Sequence, residues 1–405
     1  MTGTKDNRGI DALLDKDKMV HTLSKMIAIR ALSPKSGGAG EMERAEFLKS
    51  ALESWGFEVK EYDYTDSDGI KRPNLVVKYG NNDRTLWLVP HMDTVAAGDQ
   101  EAWKTDPFIA IVNNGRIYGR GSMDDGQSLV GALYALKALK DSGSNPPINF
   151  GLAIVADEEL GSVYGIEKLV EEKGLFSDSD MFIVPDWSTS DGSKVEVAEK
   201  SVLWLKFTFE GKQVHASTPD DGVNALRVAI KFFYKLDSFL HEKYNAIDPI
   251  FEPSASTFEM TKHEKNVDSV NIVPGKEVFY LDSRILPCYD IDQVLKDIKE
   301  FSKSPEFSPA KIIIDIEEKN AAPQSTPVSA EIVKLLRRTV KEYRGFELEP
   351  VGIGGGTCAT FFRRKGFPTA VWFTGDDVAH QPNEYASIEN LVNDAKVFLG
   401  LFRRE

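Results

Sequence analysis

Several short apolar runs in this chain stop at ionisable side chains, and that pattern limits the possible fold more than any other feature. Leu86-Trp-Leu-Val-Pro runs into His91-Met-Asp93, Leu152-Ala-Ile-Val-Ala into Asp157-Glu158-Glu159, and Phe182-Ile-Val-Pro into Asp186. Runs of this length read as buried strands of a sheet covered by helices. A histidine also sits among turn residues in Val378-Ala-His380-Gln-Pro-Asn-Glu384, ahead of a final apolar helix. Strand ends that each carry a carboxylate or an imidazole are what an open α/β sheet presents where it collects its active site.

Helix and strand patterns alternate from residue 11 to about 199, which is the rhythm of helices packed on a central sheet. The texture then changes. Ser201–Glu210 alternates as a long strand, 224–244 has helical spacing, 279–286 is a strand, 294–301 a helix and 311–318 a strand. This β-α-β-β-α-β succession reads as a compact α+β unit inserted into the first domain. The α/β rhythm returns after Asn320. At 405 residues the chain exceeds one ordinary core, so the expected division is 1–199 and 320–405 for an α/β domain with a central mixed sheet, and 200–319 for the insertion.

The net charge of −14 leaves no basic excess for phosphates, which argues against a nucleic-acid partner. Cys288 and Cys358 are the only cysteines and lack a metal-type spacing, so a disulfide framework is excluded and a reducing cytoplasm fits. The stretch Met1–Lys18 is polar and charged, unlike a signal peptide, and no later run is long enough to span a bilayer.

Chemistry accumulates at the strand ends. Side chains two apart on an extended segment share a face, so Asp93 can orient the His91 ring, a common metal ligand. In Tyr118-Gly-Arg-Gly-Ser-Met-Asp124-Asp125-Gly126, Asp125 is placed to cap the helix that follows, leaving Asp124 free for another task. Three consecutive acids at 157–159 repel one another unless cations or protons intervene. Glu159 could bind a metal there while Glu158 faces a water, an arrangement that suits a hydrolase. Each motif alone also fits a solvated turn; their accumulation along one chain does not.

The ordered set His91-x-Asp93, Gly119-Arg-Gly-x-x-Asp124, Asp157-Glu158-Glu159, Asp186 and His380 resembles the M20 family of metallopeptidases and amidohydrolases. That family takes in carboxypeptidases, acetylornithine deacetylase, succinyl-diaminopimelate desuccinylase and PepV-type dipeptidases. The resemblance implies a zinc-exopeptidase-like catalytic domain and a ferredoxin-like insertion that serves as dimerisation and lid domain. It implies two divalent ions, zinc or else cobalt or manganese. His91 and Asp186 would hold one, Glu159 and His380 the other, and Asp124 would bridge them. Asp93 would steer His91, and Glu158 would be the general base.

In the insertion, the segment Gly211-Lys-Gln-Val-His215 resembles the family stretch that pairs two subunits and offers a histidine to the partner's site. His215 would then stabilise the oxyanion in a homodimer. Asn271 and Arg284 occupy places where the family binds a substrate carboxylate or oxyanion, and Gly354-Gly355-Gly356-Thr357 resembles a loop that approaches the substrate. Cys358 reads as packing at a helix start. The implied reaction is hydrolysis of the amide in a small peptide or an N-acyl amino acid. Asp186 and the glycine loop resemble the peptidase branch, whereas the chain length fits the deacylases. Two other classes stay in view: a scaffold that binds without catalysis, and a two-metal phosphoesterase, against which the lack of a basic phosphate clamp counts.

Overall fold

The computed structural model describes residues 9–403, so the polar opening stretch falls partly outside the described residues. Contacts divide the chain into two compact units. One comprises Met1–Val197, Thr326–Pro350 and Thr357–Glu405; the other comprises Ala198–Ser325 and Val351–Gly356. Residues 351–356, assigned above to the returning α/β part, thus group with the inserted unit.

An eight-stranded mixed sheet underlies the larger unit, and its last two strands run on into residues that group with the smaller one. Its order is Lys60–Thr65, Lys71–Tyr79, Asn149–Ile154, Thr85–Leu88, Met181–Thr189, Thr369–Thr374, Lys194–Glu199 and Glu349–Ile353. Thr85–Leu88 runs parallel to both of its neighbours, and Thr369–Thr374 runs parallel to Met181–Thr189. The first two strands pair antiparallel with each other, and Lys71–Tyr79 pairs antiparallel with Asn149–Ile154. Every residue of Thr85–Leu88, Asn149–Ile154 and Thr369–Thr374 is buried, as expected of strands covered on both faces. Gly151 lies beside Trp87, and a Cβ there would come within 2.3 Å of the indole, so only glycine lets these strands close.

Helices Lys16–Ala28, Ser128–Asp141 and Ile388–Gly400 pack together in this unit. The first is capped by Asp15, which accepts from Lys18 N at 3.1 Å. It buries Met19, Leu23, Met26 and Ile27, the i, i+4, i+7, i+8 face of an amphipathic helix.

In the smaller unit the order is Thr257–His263, Lys276–Ile285, Ser201–Glu210, Lys311–Asn320, all antiparallel. Leu203, Leu205, Phe207 and Phe209 alternate toward Phe232, Phe233 and Leu236 of helix Ala225–Lys243, and Ile298 of helix Ile291–Phe301 joins the same core. No helix among the described residues is long and apolar enough to cross a membrane.

Candidate metal centre

The chain beyond Thr85–Leu88 stays extended because Val89 N donates to Ile183 O and Met92 N to Val155 O, at 2.9 and 2.8 Å. This carries His91 and Asp93 into the interior, where both are buried. Asp93 Oδ1 lies 3.4 Å from His91 Nδ1. The same carboxylate accepts the backbone N–H groups of Glu158 and Glu159, each at 3.1 Å. Asp93 therefore orients an imidazole and also fixes the turn that bears two acids.

Asp124 lies between two imidazoles. Its Oδ1 is 2.9 Å from His91 Nε2 and its Oδ2 is 3.2 Å from His380 Nε2. His380 Nε2 also lies 3.0 Å from Glu159 Oε2, and His91 Nε2 lies 3.7 Å from Asp186 Oδ1. Ligand atoms of His91, Asp124 and Glu159 all fall within 4.8 Å of one another. The five residues that sequence reasoning names as ligands are thus brought together.

Two expectations about backbone context are corrected. Asp125 does not cap the following helix. That helix starts at Ser128 behind a wider, irregular π-type turn over Ser122–Gln127, and Asp125 Oδ2 instead accepts His91 N at 3.2 Å. Asp186 does not end its strand either. The strand runs on to Thr189, and the pairing jumps from Val371↔Val184 to Phe373↔Ser188. Pro185, which has no N–H for the ladder, and Asp186 lie within that irregularity, which re-aims a side chain without ending the strand.

The electrostatics follow from burying many acids together. Burial, then the charge of nearby Glu158, pushes the Asp186 carboxyl well above the usual carboxylate range. Burial raises Glu158 to about 7, although His91 pulls the other way, and it raises Glu159 against the pull of His380. Asp124 is the exception: burial would raise it, but His380 and His91 together hold it low. In return Asp124 and Glu159 lift His380 to about 10. Burial works against a charged His91, but Asp124 and Asp93 outweigh it and raise that ring as well. Asp157 turns away from this cluster. It accepts Tyr164 N at 3.0 Å and faces Arg72 at 3.6 Å.

Sequence reasoning assigned no role to Glu384, yet this fully buried residue is the organiser of the Asp124 turn. Oε2 accepts from Arg120 Nη1 at 2.8 Å and Gly121 N at 3.0 Å; Oε1 accepts from Met123 N at 2.9 Å and Asp124 N at 3.1 Å. Its place in the same short segment as His380 was the available signal. Gly121 enters this turn with φ of 75°, and a Cβ there would meet Thr94 at 2.4 Å. Cys358 is buried with Sγ 3.4 Å from Ser162 Oγ and 4.0 Å from Glu158 Oε1, and burial pushes its thiol well up. That is a packed thiol, not a nucleophile.

The remaining candidates are in the smaller unit or the glycine loop. His215 pairs with Ile272, and Ala216 N donates to Asn271 O at 2.9 Å, which brings His215 and Asn271 side by side. Ser217 holds His215 at Nδ1, with its backbone N 3.1 Å and its Oγ 2.7 Å from that nitrogen. Arg284 is already engaged: Nε and Nη2 bind Asp282 at 2.7 and 3.0 Å, and Nη1 donates to Gly354 O at 2.9 Å. It braces the glycine loop. A Cβ at Gly354 or Gly355 would meet nothing within 4 Å, so open space faces this backbone, and Gly356 is exposed. Thr357 is buried, and its Oγ1 accepts Ala359 N at 3.2 Å.

The donor set fits a divalent cation. Imidazole Nε2 atoms and carboxylate oxygens converge, an N/O mixture that zinc accepts. Burying so many acids without a cation leaves their charges uncompensated. Among the described residues, His91 Nδ1 has no hydrogen-bond partner of good geometry, which leaves it held beside Asp93 by charge.

Comparison with known proteins bears on the family and the fold. The model of peptidase family M20/M25/M40 matches residues 87–404. A metallohydrolase of Methanococcus maripaludis, itself uncharacterized, is 40% identical over 96% of this chain and 99% of its own. The succinyl-diaminopimelate desuccinylase of Nautilia profundicola is 24% identical over 94% of this chain and 97% of its own. Among solved structures, a tripeptidase from Staphylococcus aureus superposes with a TM-score of 0.75 at 21% identity, covering 96% of this chain and 98% of its own. At that identity the likeness is one of fold. The family match over most of the chain decides the rest: this protein belongs to the M20 family and is a divalent-metal-dependent hydrolase of carbon–nitrogen bonds.

Proposed function

We propose that the protein is a dinuclear amidohydrolase that cleaves the amide bond of a small peptide or an N-acyl amino acid. The observation that supports this most is Asp124, whose two oxygens face two imidazoles from opposite ends of the chain. His91 and Asp186 would hold one ion, Glu159 and His380 the other, and Asp124 both. The mixed donors suit zinc first, with cobalt or manganese as substitutes. Ions bound by these residues would polarise the scissile carbonyl and lower the pKa of water.

The chain's own groups then move the proton. Glu158, raised to about 7, takes a proton from the attacking water and hands it to the leaving nitrogen. Asp93 holds the Glu158 backbone N–H, so the base is carried by a turn that cannot drift from His91. His215 is held at Nδ1 by Ser217, an orientation that suits an oxyanion donor acting through Nε2. We assign it that role in a homodimer, acting on the partner's substrate. Asn271 and the Gly355-Gly356-Thr357 backbone would line the substrate, with Arg284 holding that loop in place. Cys288 and Cys358 are both free thiols, in keeping with a cytoplasmic enzyme.

The test is a panel of dipeptides, N-acetyl and N-succinyl amino acids assayed after chelation and reloading with zinc, cobalt or manganese, alongside metal analysis. Hydrolysis that is lost on chelation and restored at two ions per chain supports the reading. Binding of one ion per chain at full activity would remove the dinuclear part, and no amide cleavage with any metal would remove the whole.

A further inference from the structure

A cavity of about 510 Å³ opens directly beside the metal centre, and Asp124 and Asp186 form part of its wall. Trp187 and Phe373 give it apolar walls and Ser188 a hydroxyl, while Asp376 and Asp377 add two further acids. No lysine, arginine or histidine among the described residues borders it. Arg116 stacks on the Tyr385 ring at 4.0 Å but does not reach the cavity.

With Asp124 and Asp186 committed to metal, Asp125, Asp376 and Asp377 are the other carboxylates around this space; Arg116 acts on Asp376 by charge and His91 on Asp125, and neither cation borders the cavity. Asp125 also borders the cavity, is buried, and has one oxygen, Oδ1, without a hydrogen-bond donor. Asp376 is held in place by the Tyr385 hydroxyl, which donates to its Oδ2, and its other oxygen is not bound in that way. Asp377 is exposed at the rim. A lining of one sign with apolar walls raises the local concentration of ligands of the opposite sign and repels those of like sign.

We infer that this cavity receives a positively charged ammonium group of the substrate, and that Asp376 and Asp377 set that preference. The inference rests on the amidohydrolase reading and narrows its substrate class. The ammonium is a free α-amino group or the end of a lysine-like side chain. A substrate whose corresponding group is a carboxylate, such as a succinyl amide, meets repulsion here. This chain therefore differs in preference from the desuccinylases to which it is similar.

Binding to zinc-loaded Glu158→Gln protein, measured by calorimetry, tests this apart from turnover. The probes are Lys-Ala, norleucyl-Ala, the N-acetyl form of each, and N-succinyl-Ala. Loss of the contacted ammonium weakens binding at least about tenfold, the order expected for a charge-assisted hydrogen bond. Sensitivity to acetylation identifies the α-ammonium, and sensitivity to norleucine identifies the side chain. In Asp376→Asn and Asp377→Asn that ratio shrinks toward one, and in the wild-type enzyme the same ratio appears in KM. Equal binding of all probes, tighter binding of N-succinyl-Ala, or a ratio unchanged in both variants overturns the inference. Amide hydrolysis without an ammonium preference would strike the cavity assignment alone. A preference in binding without hydrolysis of any amide would strike the proposed function alone.

Discussion

Glu158 is a buried carboxyl raised to about 7 amid Asp93, Asp124 and Glu159, the environment in which a carboxylate both takes and returns a proton near neutral pH. Glu158→Gln should leave metal content and the melting temperature in place and lower kcat by about 10²- to 10⁴-fold, the usual range for loss of a general base. Metal analysis beside a turnover assay checks this. The sign of the pH dependence is fixed by the same group. In the proposed role the deprotonated carboxylate is the active form, so kcat/KM is expected to fall as pH falls through its pKa. Bound cations pull that pKa down, which places the acid limb at or below about 7 in the metal-loaded enzyme. A limb that persists in Glu158→Gln would assign it to another group. At this scale the sequence was informative, because a histidine, an acid pair and an apolar run declare their chemistry without the fold.

The elements that carry these side chains were harder to read. Asp186 follows four apolar residues and a proline, and such a run looks like a strand that stops. The parallel pairing with Thr369–Thr374 instead resumes at Ser188, beyond the irregularity. Asp125 precedes a helix in the pattern of an N-cap, but the irregular π-type turn at Ser122–Gln127 moves the helix start and frees the carboxylate for His91 N. Glu384 was invisible for a different reason: its bond to Asp124 N spans 260 residues, and only the folded chain makes that pairing. Glu384→Ala would leave buried Arg120 without its partner and the Asp124 turn without its acceptors. A loss of about 3–5 kcal/mol is expected from breaking such a buried pair. Denaturant unfolding measures it, and metal titration should show weaker binding in the same variant. Normal affinity in a destabilised Glu384→Ala would limit Glu384 to a structural role.

Across the whole molecule, the proposed site draws on both stretches of the larger unit and, through His215, on a second copy of the chain. Mixing inactive His215→Ala with inactive Glu158→Ala protein should therefore restore part of the activity, because one kind of hybrid site holds both wild-type residues. Verified subunit exchange without restoration would mean that each chain works alone. The clamp made by Glu384 has a consequence for the birth of the protein. During synthesis the first imidazole, the acid turn and the candidate base all leave the ribosome long before Glu384 and His380. Until that late segment docks and Tyr385–Ser387 pairs with Arg116–Tyr118, the growing polypeptide has neither a fixed Asp124 nor its second histidine. Hydrolytic power is thus withheld from the nascent chain until that late segment has docked.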